Sequence, residues 1–162
     1  MDLSATGATI AVRSANSEEL SGRVQIFRFN LSTSQWDQQG DDIIGCRLDD
    51  FGRSLSLSSD GRVIAIGAPG YAYAWSWLIP PLYDQFLESS KGYVSIFRFD
   101  SNANKWNSIG RIAEGSFDQH SGYYVTMSGD GDYVVAVSKT HPLDSRSSFA
   151  RTYHYSEGGV CN

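Results

Sequence analysis

The residues best suited to bind a ligand form an aromatic stripe near the middle of the chain. From residue 71 to residue 77 aromatic and small side chains alternate, and a proline pair and a further tyrosine follow. In an extended strand alternate side chains point the same way, so these rings would share one face. Such rings can stack on sugars or anchor a protein partner, or else fold back and be buried. The predicted ligand contacts are Tyr71, Tyr73, Trp75, Trp77 and Tyr83.

The closest approach to a metal site is the pair Asp130 and Asp132. A calcium loop needs several oxygen ligands, and two carboxylates on one turn are too few. The favoured interpretation is a plain hairpin turn, with calcium as the alternative, and no cofactor is predicted. His120, His141 and His154 lack the mutual spacing of a metal site or a catalytic dyad. Because no motif identifies a nucleophile or a phosphate-binding loop, the sequence predicts no catalytic residue and no enzyme.

The composition excludes some classes of partner. Nucleic-acid binding needs clustered Lys and Arg, whereas the 13 basic residues are scattered and the net charge is −5. The most apolar run, residues 71–81, is shorter than the ~20 residues that a helix needs to cross a membrane. We therefore predict neither a nucleic-acid partner nor a membrane span.

The N-terminus and the cysteines do not identify a compartment. Residues 1–7 lack the basic start, apolar middle and cleavage site of a secretory signal. Cys46 and Cys161 have no CxxC spacing, and they leave open both a single disulfide and two free thiols.

Internal repetition is the strongest feature of the sequence. Residues 22–29 recur 70 positions later as 92–99, whereas residues 3–12 match a segment 54 positions later. The basic unit therefore has 54 residues, and the middle copy carries an insertion of 16. We predict one domain over 1–162, and tryptophans that pack between units. The units are approximately 3–56, 57–126 with the insertion at 70–90, and 127–162, and the structural repeat positions are Gly22, Phe27, Trp36, Phe51, Gly52, Gly92, Phe97 and Trp106.

Each unit contains four short segments with strand patterning. In the middle copy these are Ser54 to Leu57, Val63 to Ile66, Val94 to Phe99 and a weaker one around Trp106. Asp-Gly pairs between segments predict tight hairpin turns, because such pairs tolerate positive φ angles. Four short antiparallel strands in a unit of this length are typical of a propeller blade. The sequence therefore predicts an all-β, partial β-propeller of about three four-stranded antiparallel blades, incomplete at both ends.

The repeats resemble the FG-GAP family, the blades of integrin α-subunit-like propellers. The motif is Phe51-Gly52 followed by Gly67-Ala68-Pro69, and in the third copy these positions read Ser121-Gly122 and Val137-Ser138-Lys139. The resemblance implies a propeller fold, a role in cell adhesion, and an extracellular or cell-surface location. Family blades often carry a calcium loop, which has no match here.

The favoured functional interpretation is a non-catalytic module that binds a protein or a glycan. One alternative is part of a propeller enzyme acting on glycans, which needs charged residues converging at the propeller centre. Another is a degenerate structural fragment. Closed propellers need about four blades or more, so three units leave open edges that can pair with other chains. We expect a longer native polypeptide or self-association through those edges.

Overall fold

The regular structure of the protein is entirely β in the part of the chain that a computed structural model describes. The described residues form thirteen strands in three antiparallel sheets. They include no helix long and apolar enough to cross a membrane. The all-β, partial-propeller prediction is confirmed. The structure describes residues 1–16, 21–70, 91–112, 120–139, 148–156 and 159–161.

Each sheet is a meander of consecutive strands and forms one blade. The first blade has the order β1-β2-β3-β4, with β5 also paired to β3, the second β6-β7-β8-β9 and the third β10-β11-β12-β13. The bounds are β1 Asp2–Leu3, β2 Thr9–Asn16, β3 Ser21–Asn30, β4 Gln35–Gln38, β5 Ile43–Ile44, β6 Ser54–Leu57, β7 Val63–Ala68, β8 Tyr93–Asp100, β9 Lys105–Ile112, β10 Tyr124–Met127, β11 Tyr133–Ser138, β12 Phe149–Ser156 and β13 Gly159–Cys161.

The first strands of the three blades lie side by side and form the inner edge of the molecule. The Asp2 carboxylate on β1 accepts a hydrogen bond from the Leu57 amide on β6, at 2.6 Å. On the other side of β6, the Ser54 and Ser56 hydroxyls accept hydrogen bonds from the amides of Val125 and Met127 on β10, both at 2.9 Å. Side chains therefore join the inner strands, as expected for blades arranged around an axis.

The hairpins between the first two strands of the second and third blades are tight and packed against the preceding blade. Gly61 has a φ of +70°, and a Cβ added there would lie 2.6 Å from the Cβ of Thr9. In the third blade, the Asp130 carboxylate accepts hydrogen bonds from the Ser128 hydroxyl and the Asp132 amide, at 2.5 and 3.0 Å. Both Asp-Gly segments form the predicted turns. Asp130 thus uses a carboxylate oxygen within its own turn.

The core lies between the blades. One cluster joins the first blade to the second, and another joins the second to the third. The largest fully buried aliphatic side chains come from the middle of β3, β7, β8 and β11, where both faces of the sheet are covered: they are Ile26, Ile64, Ile66, Ile96, Val24, Val94 and Val134.

The two repeated tryptophans have different environments. Trp106 is 6% exposed, and its indole Nε1 donates a hydrogen bond to the carbonyl of Gln39 in the first blade, at 2.9 Å. Trp36 is 44% exposed and contacts Phe29 edge-on, at 5.3 Å between ring centroids. Trp106 thus packs between blades as expected. For Trp36 the expectation is wrong, because this side chain is largely exposed. The reason is that no described residue covers the first blade on the side of Trp36.

Candidate functional site

Charged and polar side chains converge where the inner strands β6 and β10 begin. We call this end of the molecule the upper face and the opposite end the lower face. The loops before β6 and β10 meet the later part of β2 and the residue after β11 here, because consecutive strands run in opposite directions. The upper-face cluster consists of Arg13, Asp50, Arg53, Tyr123 and Lys139.

Asp50 lies between two arginines at the boundary of the first and second blades. Arg13 reaches across from β2, donating one hydrogen bond to Asp50 and another from Nε to the Phe51 carbonyl at 3.1 Å. Arg53 contacts the other carboxylate oxygen at 3.4 Å. The Asp50 side chain is only 6% exposed, so its charge depends on these two partners. The arrangement fixes the position of Arg53 relative to the inner strands.

Tyr123, at the start of the third blade, is held between two cations. Its hydroxyl accepts hydrogen bonds from Arg53 at 3.1 Å and Lys139 at 3.4 Å. The same cations lie 4.9 and 4.7 Å from the centre of its ring. The hydrogen bond from Lys139, helped by the charge of Arg53, lowers the pKa of Tyr123. The cluster contains three cations and one carboxylate, and this excess of positive charge can attract an anion or a carbonyl that develops negative charge.

A second network supports the loop that carries Asp50. Its centre is Asp49, whose carboxylate accepts hydrogen bonds from the hydroxyl of Tyr93 at 2.5 Å and from the amides of Cys46 and Phe51 at 2.7 and 3.1 Å. The Arg111 guanidinium lies 3.4 Å from the centre of the Tyr93 ring. Burial raises the pKa of Asp49 and, together with the bond to Asp49, that of Tyr93. Cys46 itself is an exposed free thiol.

We expect Tyr93→Phe to destabilise the protein by about 1.5 kcal/mol at neutral pH, since it removes a hydrogen bond to a carboxylate. The raised pKa of Tyr93 also gives the wild type a stabilisation that is present below pH ~10, the ordinary tyrosine pKa, and lost as the pH rises above it. The variant lacks this alkaline loss. Urea denaturation at a series of pH values measures both effects. The exposed Tyr133→Phe is the control, and equal alkaline slopes in all three proteins would contradict the assignment.

His120 lies beside the upper-face cluster in the loop that leads to β10. It is 5% exposed, and its Nδ1 is 2.9 Å from the Pro69 carbonyl. Its Nε2 is buried with no hydrogen-bond partner among the described residues. Asp50 and His120 occupy equivalent positions 70 residues apart, and both have positive φ. Arg53 and Tyr123 are likewise 70 residues apart. This correspondence is the sequence signal by which the cluster could have been found.

The sequence-predicted site residues do not join this cluster. Asp130 and Asp132 lie on a lower-face turn, and the described residues include no group of three or more His, Cys, Asp or Glu able to hold a metal ion. The predicted ligand contacts Tyr71, Tyr73, Trp75, Trp77 and Tyr83 fall outside the described residues.

Comparisons with known proteins give matches among solved structures only. No family model and no curated protein matches the chain. The periplasmic gluconolactonase PpgL of Pseudomonas aeruginosa matches 93% of this chain with 36% of its own, at 13% identity and a TM-score of 0.53. A candidate 6-phosphogluconolactonase of Bacteroides uniformis matches 94% of this chain over 35% of its own length, at 14% sequence identity and a TM-score of 0.50. A second candidate 6-phosphogluconolactonase, from Bacteroides fragilis, matches 93% of this chain over 36% of its own length, at 12% sequence identity and a TM-score of 0.50. The chain thus spans about a third of the length of these structures.

These matches correct the FG-GAP assignment. The similar structures are lactonase propellers, not integrin-type repeats, and no family model supports FG-GAP. The physical reason is that the glycines of the motif are needed wherever blades approach this closely: a Cβ at Gly67 would overlap the carbonyl oxygen of Gly122. The role in cell adhesion and the location that the resemblance implied therefore lose their basis.

The same comparison overturns the expectation of a non-catalytic binding module that is not an enzyme. The similar structures carry the names of lactone-hydrolysing enzymes, which favours the enzyme alternative over the binding module. At this level of identity the likeness establishes architecture, and the chemistry has to be argued from the residues. The chain has the β-propeller fold that these lactonases share.

Proposed function

We propose that this chain is part of a β-propeller enzyme that hydrolyses a sugar lactone or a related sugar ester at the upper-face cluster. The observation that carries the proposal is the convergence of Arg53 and Lys139 on the Tyr123 hydroxyl, beside the first residues of β6 and β10. Charged residues converging near the inner strands are what the enzyme alternative required. The names of the structurally similar gluconolactonases support the choice of substrate class.

The charges of the cluster fit the charges that this reaction develops. Water adds to the lactone carbonyl carbon and gives a tetrahedral oxyanion. The ring oxygen then leaves and takes up a proton, and the product is a hydroxy acid with a carboxylate. Arg53 and Lys139 can stabilise both anions, since preorganised cations act most strongly where negative charge develops.

Tyr123 is the group in the cluster best placed to move a proton. Its lowered pKa makes a deprotonated hydroxyl more accessible, so that it takes a proton from the attacking water and returns one to the leaving ring oxygen. Arg13 and Asp50 act as positioning residues, because their ion pair holds Arg53 against the third blade.

The test is the hydrolysis of D-glucono-1,5-lactone, followed by acid release above the spontaneous rate. We expect Tyr123→Phe to lower kcat about a hundredfold, because it removes the proton-transfer group but keeps the ring between the cations. The control is Arg62→Ala, which removes an exposed arginine at the β6–β7 turn on the lower face and leaves the rate unchanged.

Product binding provides a second readout that does not depend on turnover. Gluconate is expected to shift the amide resonances of Arg53, Tyr123 and Lys139, and Arg53→Ala is expected to abolish these shifts. A chain that neither hydrolyses the lactone nor binds gluconate would contradict the proposal and favour a degenerate structural fragment.

A further inference from the structure

A recess on the lower face is separate from the upper-face cluster. Its volume is about 710 Å³, within the range of small-molecule sites. Its walls are the β1–β2 turn at residues 6–8 and the adjoining parts of β3 and β4, and Asn104 of the second blade lines one side. None of these residues has a role in the proposed hydrolysis, so the recess has to be explained on its own.

The recess contains hydrogen-bonding groups with unused capacity. Arg28 is exposed and forms no ion pair with a described residue, although Asp37 lies directly opposite it on β4. Asp37 accepts a hydrogen bond from the Asn30 amide at one carboxylate oxygen, at 2.8 Å. Gln39 lines the recess, and its Oε1 is buried without a donor among the described residues. Donors and acceptors therefore lie side by side.

The balance of charge defines the class of ligand. One cation and one carboxylate leave the lining neutral, so a ligand with net charge would be attracted by one and repelled by the other. Hydroxyl groups both donate and accept hydrogen bonds, which suits Arg28 beside Asp37. The Phe29 ring, which contacts Trp36 edge-on, lies on the other face of this sheet, because adjacent residues of a strand point to opposite faces. We propose that this recess binds a neutral saccharide through Arg28, Asp37 and Gln39.

The second blade provides an internal comparison. At the positions of Arg28 and Asp37 it has Arg98 opposite Asn107 on the neighbouring strand. Arg98 already has an interaction partner in the structure. The charged pair with unused capacity is thus particular to the first blade, and Arg98 offers a matched control.

The test is a titration of the protein with maltose, followed by amide ¹H–¹⁵N correlation spectra. We expect shifts at residues 6–8, 28–31 and 37–39, and an affinity about tenfold weaker in Arg28→Ala, which removes charge-assisted hydrogen bonds. Arg98→Ala is expected to bind as the wild type does. Unchanged resonances elsewhere in Arg28→Ala verify that the fold is intact.

Three results would overturn the saccharide site: no shifts with maltose, shifts confined to the upper face, or equal affinity in Arg28→Ala and wild type. Gluconate is titrated in parallel and is expected to shift upper-face amides and leave the recess unaffected. Failure with maltose therefore contradicts this inference alone, and failure with gluconate contradicts the proposed hydrolase alone.

Discussion

Replacing Gly22 with alanine is expected to destabilise the protein by about 4 kcal/mol or more, because the added methyl group meets backbone that cannot move aside. A Cβ at Gly22 would overlap the carbonyl oxygen of Phe51 and lie 2.6 Å from its carbonyl carbon. Phe51 belongs to the loop that enters the second blade, so relief of the overlap requires the first and second blades to separate. Urea denaturation of the variant and the wild type measures the loss.

Gly7→Ala is the matched control for the Gly22 variant. Gly7 has a φ of +71°, but a Cβ there would have no heavy atom within 4 Å. The substitution therefore costs only the backbone strain of a left-handed residue, about 1–2 kcal/mol. If Gly22→Ala were no more destabilising than Gly7→Ala, the close approach of the two blades at Phe51 would be wrong.

Trp106→Ala is expected to cost about 4 kcal/mol, the usual range for deleting a buried aromatic side chain. The indole ring is almost completely buried between the first two blades, and its Nε1 satisfies the Gln39 carbonyl. The truncation leaves a cavity at the interface and an unpaired carbonyl. The melting temperature and the urea concentration at the midpoint of unfolding are both expected to be lower in the variant than in the wild type.

Trp36→Ala tests the same repeat position without the interface. Because Trp36 is largely accessible and contacts mainly Phe29, its loss is expected to cost about 1 kcal/mol. Equal losses for the two tryptophans would mean that Trp36 is covered in solution, for example by self-association of the first blade. Sedimentation of the wild type would then distinguish that case.

The architecture could be predicted from the sequence, because the patterns that determine it are local and repeated. Alternation along Ser54 to Leu57 and Tyr124 to Met127 predicts two inner strands, and both have those bounds in the structure. Asp60-Gly61 and Asp130-Gly131 predict the hairpins, since the glycines take positive φ. The environment of Trp36 could not be predicted from the sequence, because identical residues in a repeat have different neighbours in the first blade and in the second.

The candidate site could not be predicted from the sequence, because it joins residues that no linear motif connects. Arg13, Asp50 and Lys139 come from three different segments, and only the antiparallel course of the strands brings them to one face. A search for repetition finds identical residues, whereas Arg53 and Tyr123 occupy equivalent positions with different side chains. The chemistry thus lies where the copies differ. The family name was drawn from glycines that blade packing itself requires.

The serine hydroxyls between the inner strands have a consequence for folding cooperativity. The amides of Val125 and Met127 are hydrogen-bonded by side chains of the second blade, and the second blade's own Leu57 amide is bonded by Asp2 of the first. The first blade therefore completes the backbone hydrogen bonding of the second, and the second that of the third, so local opening of one leaves unsatisfied donors in the next. The middle blade, which contributes to both junctions, is the unit whose opening uncouples the other two. Its folding sets whether the three blades behave as one cooperative unit.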